Sequence, residues 1–507
     1  MQQKNTLIRT KQLIKKTVFF VFIISGLFAQ GSINGLLSRG VNSAYNLDFT
    51  NAEQLFHKAI ETDPDSPLGF YHVAQLHIWI YLGSKDPGEY LIFLKYSDMA
   101  LERIKKLLDK NPKDELMLYY LGNLRTLRAL AFAMNDSALD AFWEAKNARN
   151  SFEEALDVNP EFYDAYGGIG VFDYSLTYIP GMFRWAINLT GLSSDPNRGL
   201  KYLLTSYKKG KLNKIETTYH LARIYTEYLA DYDSAAVYLR ELLSKYPKNT
   251  LFLYQNALTL MKDKELDKAE SELNKILRID NKKLIVVNSL ARFRLGEIYF
   301  AKNQFQKSIN EFKNFLEKSK DFDFVGMANF KIALAYAILD DKEMSIKHLN
   351  DAKSGNLDLF EDAYAKNRAE KYSDNGFSDD ALFIFKMNNY FDNGKYKIVY
   401  DSLATEFKNI KDIDLRGVAL VLLSESSINM KKYPEAVSFA ELVSSNEYSK
   451  EKWVKPYSKY LIGRANFIVG EDKSAAKFLD DAEDLNNYDF KDRIQSQINN
   501  IKRKLNN

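Results

Sequence analysis

Cysteine is absent from this 507-residue chain. No disulfide framework, thiolate zinc site, iron–sulfur cluster or thiol nucleophile is therefore available to it. Proline and glycine are scarce, with ten and 23 residues, and scarcity of both favours helix over turn-rich β structure. Only five histidines occur: His57, His72, His77, His220 and His348. His72 and His77 stand five apart, about 500° around a helix, so they do not share the face that a helical metal pair needs. There is no glycine-rich phosphate loop and no serine in a nucleophile elbow. The acidic pairs Asp340-Asp341, Asp379-Asp380 and Asp480-Asp481 read as solvated turn and helix surface. The expectation is a chain that is not an enzyme and holds no cofactor and no metal. What it does have is 46% apolar and 27% charged residues, the balance of an ordinary folded chain. Tyrosine and phenylalanine are abundant, at 32 and 33.

Long apolar runs are also missing, with one exception near the start. Residues 1–16 carry Lys4, Arg9, Lys11, Lys15 and Lys16 and no acid, and the 13 residues from Thr17 to Ala29 are uncharged and largely apolar. A basic stretch before a short apolar one reads as a bacterial-type secretory signal peptide, residues 1–29. The run is short of the roughly 20 residues that span a bilayer. If retained, it would serve as an anchor instead. No cysteine follows it, which excludes a lipid anchor at that point. The chain is thus expected to be exported: periplasmic, outer-membrane-associated or secreted. Without this segment 65 basic residues face 67 acidic ones. That balance lacks the positive field nucleic-acid binding needs, and the basic run Lys502–Lys504 is too short to supply it.

The rest of the chain repeats itself. Ala52, Phe56, Ala59 and Pro64 share their spacing with Ala100, Ile104, Leu107 and Pro112, with Ala148, Phe152, Ala155 and Pro160, and with Ala235, Leu239, Leu242 and Pro247. The first three positions of each set fall on one face of a helix, and the proline ends it. Ten residues beyond each proline stands a small residue, Ala74, Gly122, Gly170 or Ala257, where a second helix can approach closely. Each unit is a helix pair whose apolar face needs a neighbour to cover it.

This pattern resembles the tetratricopeptide repeat family. Its Leu-Gly-x2-Tyr and Ala-x3-Phe signature stands nearly intact at Leu295, Gly296, Tyr299, Ser308 and Phe312, with serine in the alanine position. Further copies fit at Ile332, Ala333, Tyr336, Ser345, Leu349 and Ala352, at Ile462, Gly463, Phe467, Ala475, Leu479 and Ala482, and through Ala257, Ala269, Leu273 and Ile276. The fold expected is all-α, an α-solenoid superhelix of about ten or eleven helix pairs. From Ala235 to Ala269 the period is 34 residues, but Pro64, Pro112 and Pro160 are 48 apart. The extra length is about four helical turns, two per helix. The expected organisation is 30–210, an array with lengthened helices and an insert; 211–352, a regular array; 353–379, an irregular joint; and 380–507, a C-terminal array and cap.

The resemblance implies a protein- or peptide-binding scaffold, because the family recognises partners along a concave groove lined by the first helix of each pair. It places Tyr71, Tyr119, Tyr219, Tyr254, Phe293, Phe330 and Tyr460, each three residues before a small position, toward that groove. Such a ladder would offer rigid faces for stacking, or would fill space between helices. It has none of the lysine and asparagine positions with which the family clamps acidic peptide ends. A second candidate surface is the insert between Gly170 and Gly199, where Phe183 and Trp185 follow a Pro180-Gly181 turn signal. It would meet a membrane surface or a partner. The insert is similar, in Ser175-Leu176-x3-Pro180 and Gly191-x3-Asp195-x3-Gly199-Leu200, to a segment of a eukaryotic tetratricopeptide family linked to lipid-droplet and inclusion clearance. An alternative function is glycan binding in outer-membrane uptake. The SusD-like family is similar in using tetratricopeptide helices and stacking sugars on aromatics, but it carries an anchoring cysteine that this chain lacks.

Overall fold

The structure, a computed structural model, describes residues 33–135, 137–177, 195–279, 281–318, 323–357 and 359–506. The expected signal segment and the insert positions Phe183 and Trp185 lie outside them. Among the described residues the regular elements are all helical, with no strand. In chain order they are α1 (33–45), α2 (Phe49–Thr62), α3 (Pro67–Ser84), α4 (Pro87–Lys110), α5 (Glu115–Ala133), α6 (Ala138–Val158), α7 (Tyr163–Thr177) and α8 (Pro196–Lys209). The next eight are α9 (Lys214–Glu227), α10 (Tyr232–Lys245), α11 (Thr250–Lys262), α12 (Leu266–Ile279), α13 (Ile285–Ala301), α14 (Phe305–Lys318), α15 (Val325–Ile338) and α16 (Lys342–Asp351). The last eight are α17 (Phe360–Tyr372), α18 (Asp379–Asp392), α19 (Tyr396–Glu406), α20 (Ile413–Asn429), α21 (Tyr433–Ser444), α22 (Val454–Ile468), α23 (Asp472–Glu483) and α24 (Lys491–Leu505). The fold is an all-α solenoid of successive helix pairs, α1 with α2 through α22 with α23, with α17 and α24 standing outside the pairing.

One turn recurs between the helices of a pair. Leu47, Lys85, Ala230, Lys264, Asn303, Asp340, Gly394, Lys431 and Gly470 have φ between 46° and 84°, and each stands two residues before the second helix. A left-handed residue there reverses the chain in the fewest steps. Only two of the nine are glycine, so the others accept a strain of roughly 1 kcal/mol. Caps start many of the helices: the Asp48, Asp231 and Asp341 carboxylates accept from the backbone N–H groups of Asn51, Ser234 and Met344. α4, α5 and α6 run to 24, 19 and 21 residues, while α11 and α12 have 13 and 14.

The repeat positions form the core. Ala148, Phe152 and Ala155 are at most 2% exposed, and Ala269, Leu273 and Ile276 are fully buried. Burying one such large side chain is worth about 1.5–3 kcal/mol. The small position has a geometric reason. A Cβ on Gly296 would come within 2.7 Å of the Phe312 ring, and one on Gly122 within 2.6 Å of Phe152.

The chain divides into two compact units, one running to Thr218 and including Lys282–Leu284, the other formed by Tyr219–Asn281 and the chain from Ile285 onward. The residues between α16 and α18 hold a short 3-10 turn, Ala352–Ser354, and the single helix α17. Asp362 of α17 is buried and accepts from the backbone N–H groups of Met327 and Asn356, both at 2.9 Å, joining α15 to this stretch. Within the second unit the array closes on itself. Asn500 of α24 donates to the Ala230 carbonyl at 3.1 Å, Arg503 pairs with Asp231, and Arg493 pairs with Glu361 at 2.8 Å.

Candidate functional site

The first helix of each pair packs on two sides, so adjacent residues on it have different fates. In α13, Phe293 is fully buried, with its ring centroid 5.5 Å from Phe312 and 4.8 Å from Phe324. Arg294, turned 100° further round the helix, is only half-buried. Phe330 in α15 is 2% exposed and packs edge-on to Phe377 at 5.9 Å, while Lys331 is half-buried. In α3 and α5, Tyr71 and Tyr119 are 5% and 4% exposed, and the half-buried residues are His72 and Tyr120.

Five members of the aromatic ladder, Tyr71, Tyr119, Phe293, Phe330 and Tyr460, are thus at most 5% exposed. In this structure their ring faces meet other side chains of the chain. Tyr219 and Tyr254 keep half-buried surfaces. The accessible series lies one residue further on, at His72, Tyr120, His220, Arg294 and Lys331. The signal for it was present in the sequence: the residue after the aromatic is polar in all five of these helices.

These side chains are enclosed more deeply than their own surfaces suggest. Burial pushes His72 down to about 4, against the opposing effect of its Gln75 hydrogen bond, which is 3.1 Å long. Burial, then the Arg223 charge, does the same to His220. Burial raises Tyr120 and Tyr219 to about 12. In the first unit burial also raises the Glu216 carboxyl, although a Tyr45 hydrogen bond works the other way. In each case burial is the largest cause of the shift, because taking the charged form out of water is unfavourable. In the second unit Arg294 donates Nε to the Tyr254 hydroxyl at 3.2 Å and pairs with Glu297 at 2.7 Å. Arg223 pairs with Glu227 at 3.3 Å, and Arg464 with Glu425 at 3.4 Å.

Among the described residues no three His, Asp or Glu side chains stand within reach of one metal ion. His77 is buried against Glu89 and lies 3.3 Å from Glu53, a packing position. In the second unit these first helices thus carry ion pairs and hydrogen-bonding heads beside their packed aromatics.

The family profile described as tetratricopeptide repeat matches residues 229–286, which hold α11 and α12 with the turn described above. Residues 229–286 carry a tetratricopeptide repeat. A tetratricopeptide-repeat-containing protein of the archaeon Methanocaldococcus jannaschii is 23% identical over 449 residues, 83% of this chain and 65% of its own length. Among solved structures, the tetratricopeptide domain of P58(IPK) aligns over 87% of this chain and 99% of its own at 14% identity, with a TM-score of 0.23. Yeast Tom70 aligns over 90% and 100% at 12% identity, with a TM-score of 0.30.

Proposed function

We propose that this tetratricopeptide array is a non-catalytic scaffold that holds a protein or peptide partner against the inner face of its helix pairs. The observation that carries this reading is that the residue after the aromatic keeps accessible surface on the first helices of each unit, at His72 and Tyr120 in the first and at His220, Arg294 and Lys331 in the second. Rigid helices present these heads with little rotor entropy left to lose, so binding costs less. The partner would be met after export, in the periplasm, at the outer membrane or outside the cell. The support for export is the basic-then-apolar segment at residues 1–29.

Photo-crosslinking in the producing cells tests it. A photoreactive residue at position 220 or 294 is expected to capture one defined partner, and the same probe at the exposed Lys275 or Lys397 is not. Equal capture from all four positions, or none from the inner pair, would remove the reading.

A further inference from the structure

Two neighbouring first helices of the second unit meet at a hydrogen bond that leaves donors over. Arg294 of α13 donates Nε–H to the Tyr254 hydroxyl of α11 at 3.2 Å, and its Nη1 pairs with Glu297 at 2.7 Å. Its guanidinium carbon lies 5.0 Å from the Phe293 ring centroid and 4.9 Å from that of Phe324. Rings and hydrogen bonds thus fix the plane of the fork. The Arg294 side chain keeps 16% of its surface exposed, and Tyr254 is half-buried. A guanidinium only donates, and the Nη2 hydrogen parallel to Nε–H points past the same hydroxyl. That hydroxyl accepts from Nε and still holds its own proton to donate. Among the described residues nothing accepts from Nη2 or from this proton.

A similar station on α20 and α22 is closed. Tyr457 donates its proton to Glu425 at 2.8 Å, and Arg464 donates Nη1 to the same carboxylate at 3.4 Å. There the carboxylate takes the hydroxyl proton. At Tyr254 the proton is left for another molecule.

We infer that Tyr254 and Arg294 together hold one neutral acceptor oxygen of the partner, an amide carbonyl of an extended peptide segment. This rests on the scaffold reading and names the chemistry of one contact within it. Neutrality follows from Glu297. Its carboxylate already answers the Arg294 charge, and a second carboxylate at Nη2 would face it across one guanidinium and be repelled. A carbonyl oxygen has two lone pairs and can accept from both donors at once. Both donors are already fixed, so meeting them costs little side-chain freedom.

A random linear peptide library, displayed on phage and panned on the purified full chain, supplies the probe. The enriched peptides are measured by calorimetry against the native chain, Tyr254→Phe, Arg294→Lys and the double variant. Tyr254→Phe is expected to weaken binding about fivefold and Arg294→Lys about tenfold. The double variant is expected to lose less than the product, because the two donors share one oxygen. Tyr400→Phe, which removes a hydroxyl bonded to Glu435 between the second helices α19 and α21, is expected to leave binding unchanged. All variants are expected to melt within about 3 °C of the native chain, and a larger drop for Tyr254→Phe would make its hydroxyl a structural bond and overturn the site. Amidating the peptide's C-terminus and replacing its acidic residues by their amides is expected to preserve the fivefold effect of Tyr254→Phe. Replacing its Asn and Gln by Ala then separates a side-chain carbonyl, which abolishes that effect, from a backbone one, which keeps it. If no peptide is enriched, the scaffold reading falls and the site with it. If peptides bind but ignore both variants, or lose their dependence on Tyr254 once their carboxylates are removed, the site is overturned while the scaffold reading stands.

Discussion

Arg503 and Asp231 pair across 272 residues of chain, joining the last helix to the turn that opens α10. The Arg503 guanidinium also lies 5.4 Å from the Tyr225 ring centroid. In a repeat array each unit contacts its neighbours, and a contact between the ends is an additional constraint. Arg503→Ala is expected to cost only about 1 kcal/mol in global stability. Its larger effect is expected in hydrogen exchange, with faster exchange across α24 and little change in α12 to α15. Uniform acceleration throughout the second unit would show that closure stabilises the whole array.

The same pair has an acid limit. Burial alone would raise the Asp231 pKa, but hydrogen bonds from Ser234 and Arg503 outweigh it and hold the group below its ordinary value of 3.8. A carboxylate favoured in the folded state contributes stability above its unfolded pKa and loses it as pH falls through the folded one. Protection of α24 is therefore expected to hold at neutral pH and to fall only below about pH 4. Loss of protection already at pH 6 would contradict this.

Histidine gives a second pH dependence. His72 and His220 are held neutral, at about 4. When a folded-state histidine pKa is depressed, the unfolded chain binds more protons between the two values, so stability declines as pH falls from about 6.5 to 4. NMR titration should place both midpoints well below 6. A midpoint at 6.5 for either would mean that its ring faces open water.

Close packing at the small position predicts a contrast between two glycines. Gly296→Ala places a Cβ within 2.7 Å of the Phe312 ring, and is expected to destabilise by about 1–3 kcal/mol. Gly35→Ala in α1 meets no atom within 4 Å and is expected to stabilise by about 0.5–1 kcal/mol. Chemical denaturation measures both, and equal effects would refute the packing account.

Adjacent residues on α13 separate packing from recognition. Phe293→Ala removes a fully buried ring and is expected to cost about 3–5 kcal/mol. Arg294→Ala removes a half-buried head and is expected to cost about 1 kcal/mol or less. A severe loss of stability from Arg294→Ala would place that residue in the core.

Helix pairing was legible because Ala-x3-Phe spacing and the small residue opposite it are local, and local contacts dominate a repeat array. Phe293 shows where that legibility stops. Sequence spacing locates a helix face to within about 100° per residue, and the first helix of a pair is covered from two directions, so an aromatic expected to be accessible can be covered while the residue after it keeps accessible surface. His72, Arg294 and Lys331 needed coordinates to separate them from Tyr71, Phe293 and Phe330. The contacts of Asn500 and Arg503 with residues 230 and 231 connect the two ends of the second unit, and no periodicity signals such a contact. The left-handed turn residues were also hidden, because most of them are not glycine.

The central claim is that the residues following the aromatics, on the inner face, hold the partner. Its most direct test is the dissociation constant of the crosslinked partner, measured with His220→Ala, Arg294→Ala and the exposed control Lys275→Ala, each with its melting temperature. The account predicts at least tenfold weaker binding for the two inner variants at near-native stability, and no change for Lys275→Ala. Unchanged affinity in both inner variants, or an equal loss in the control, would contradict it.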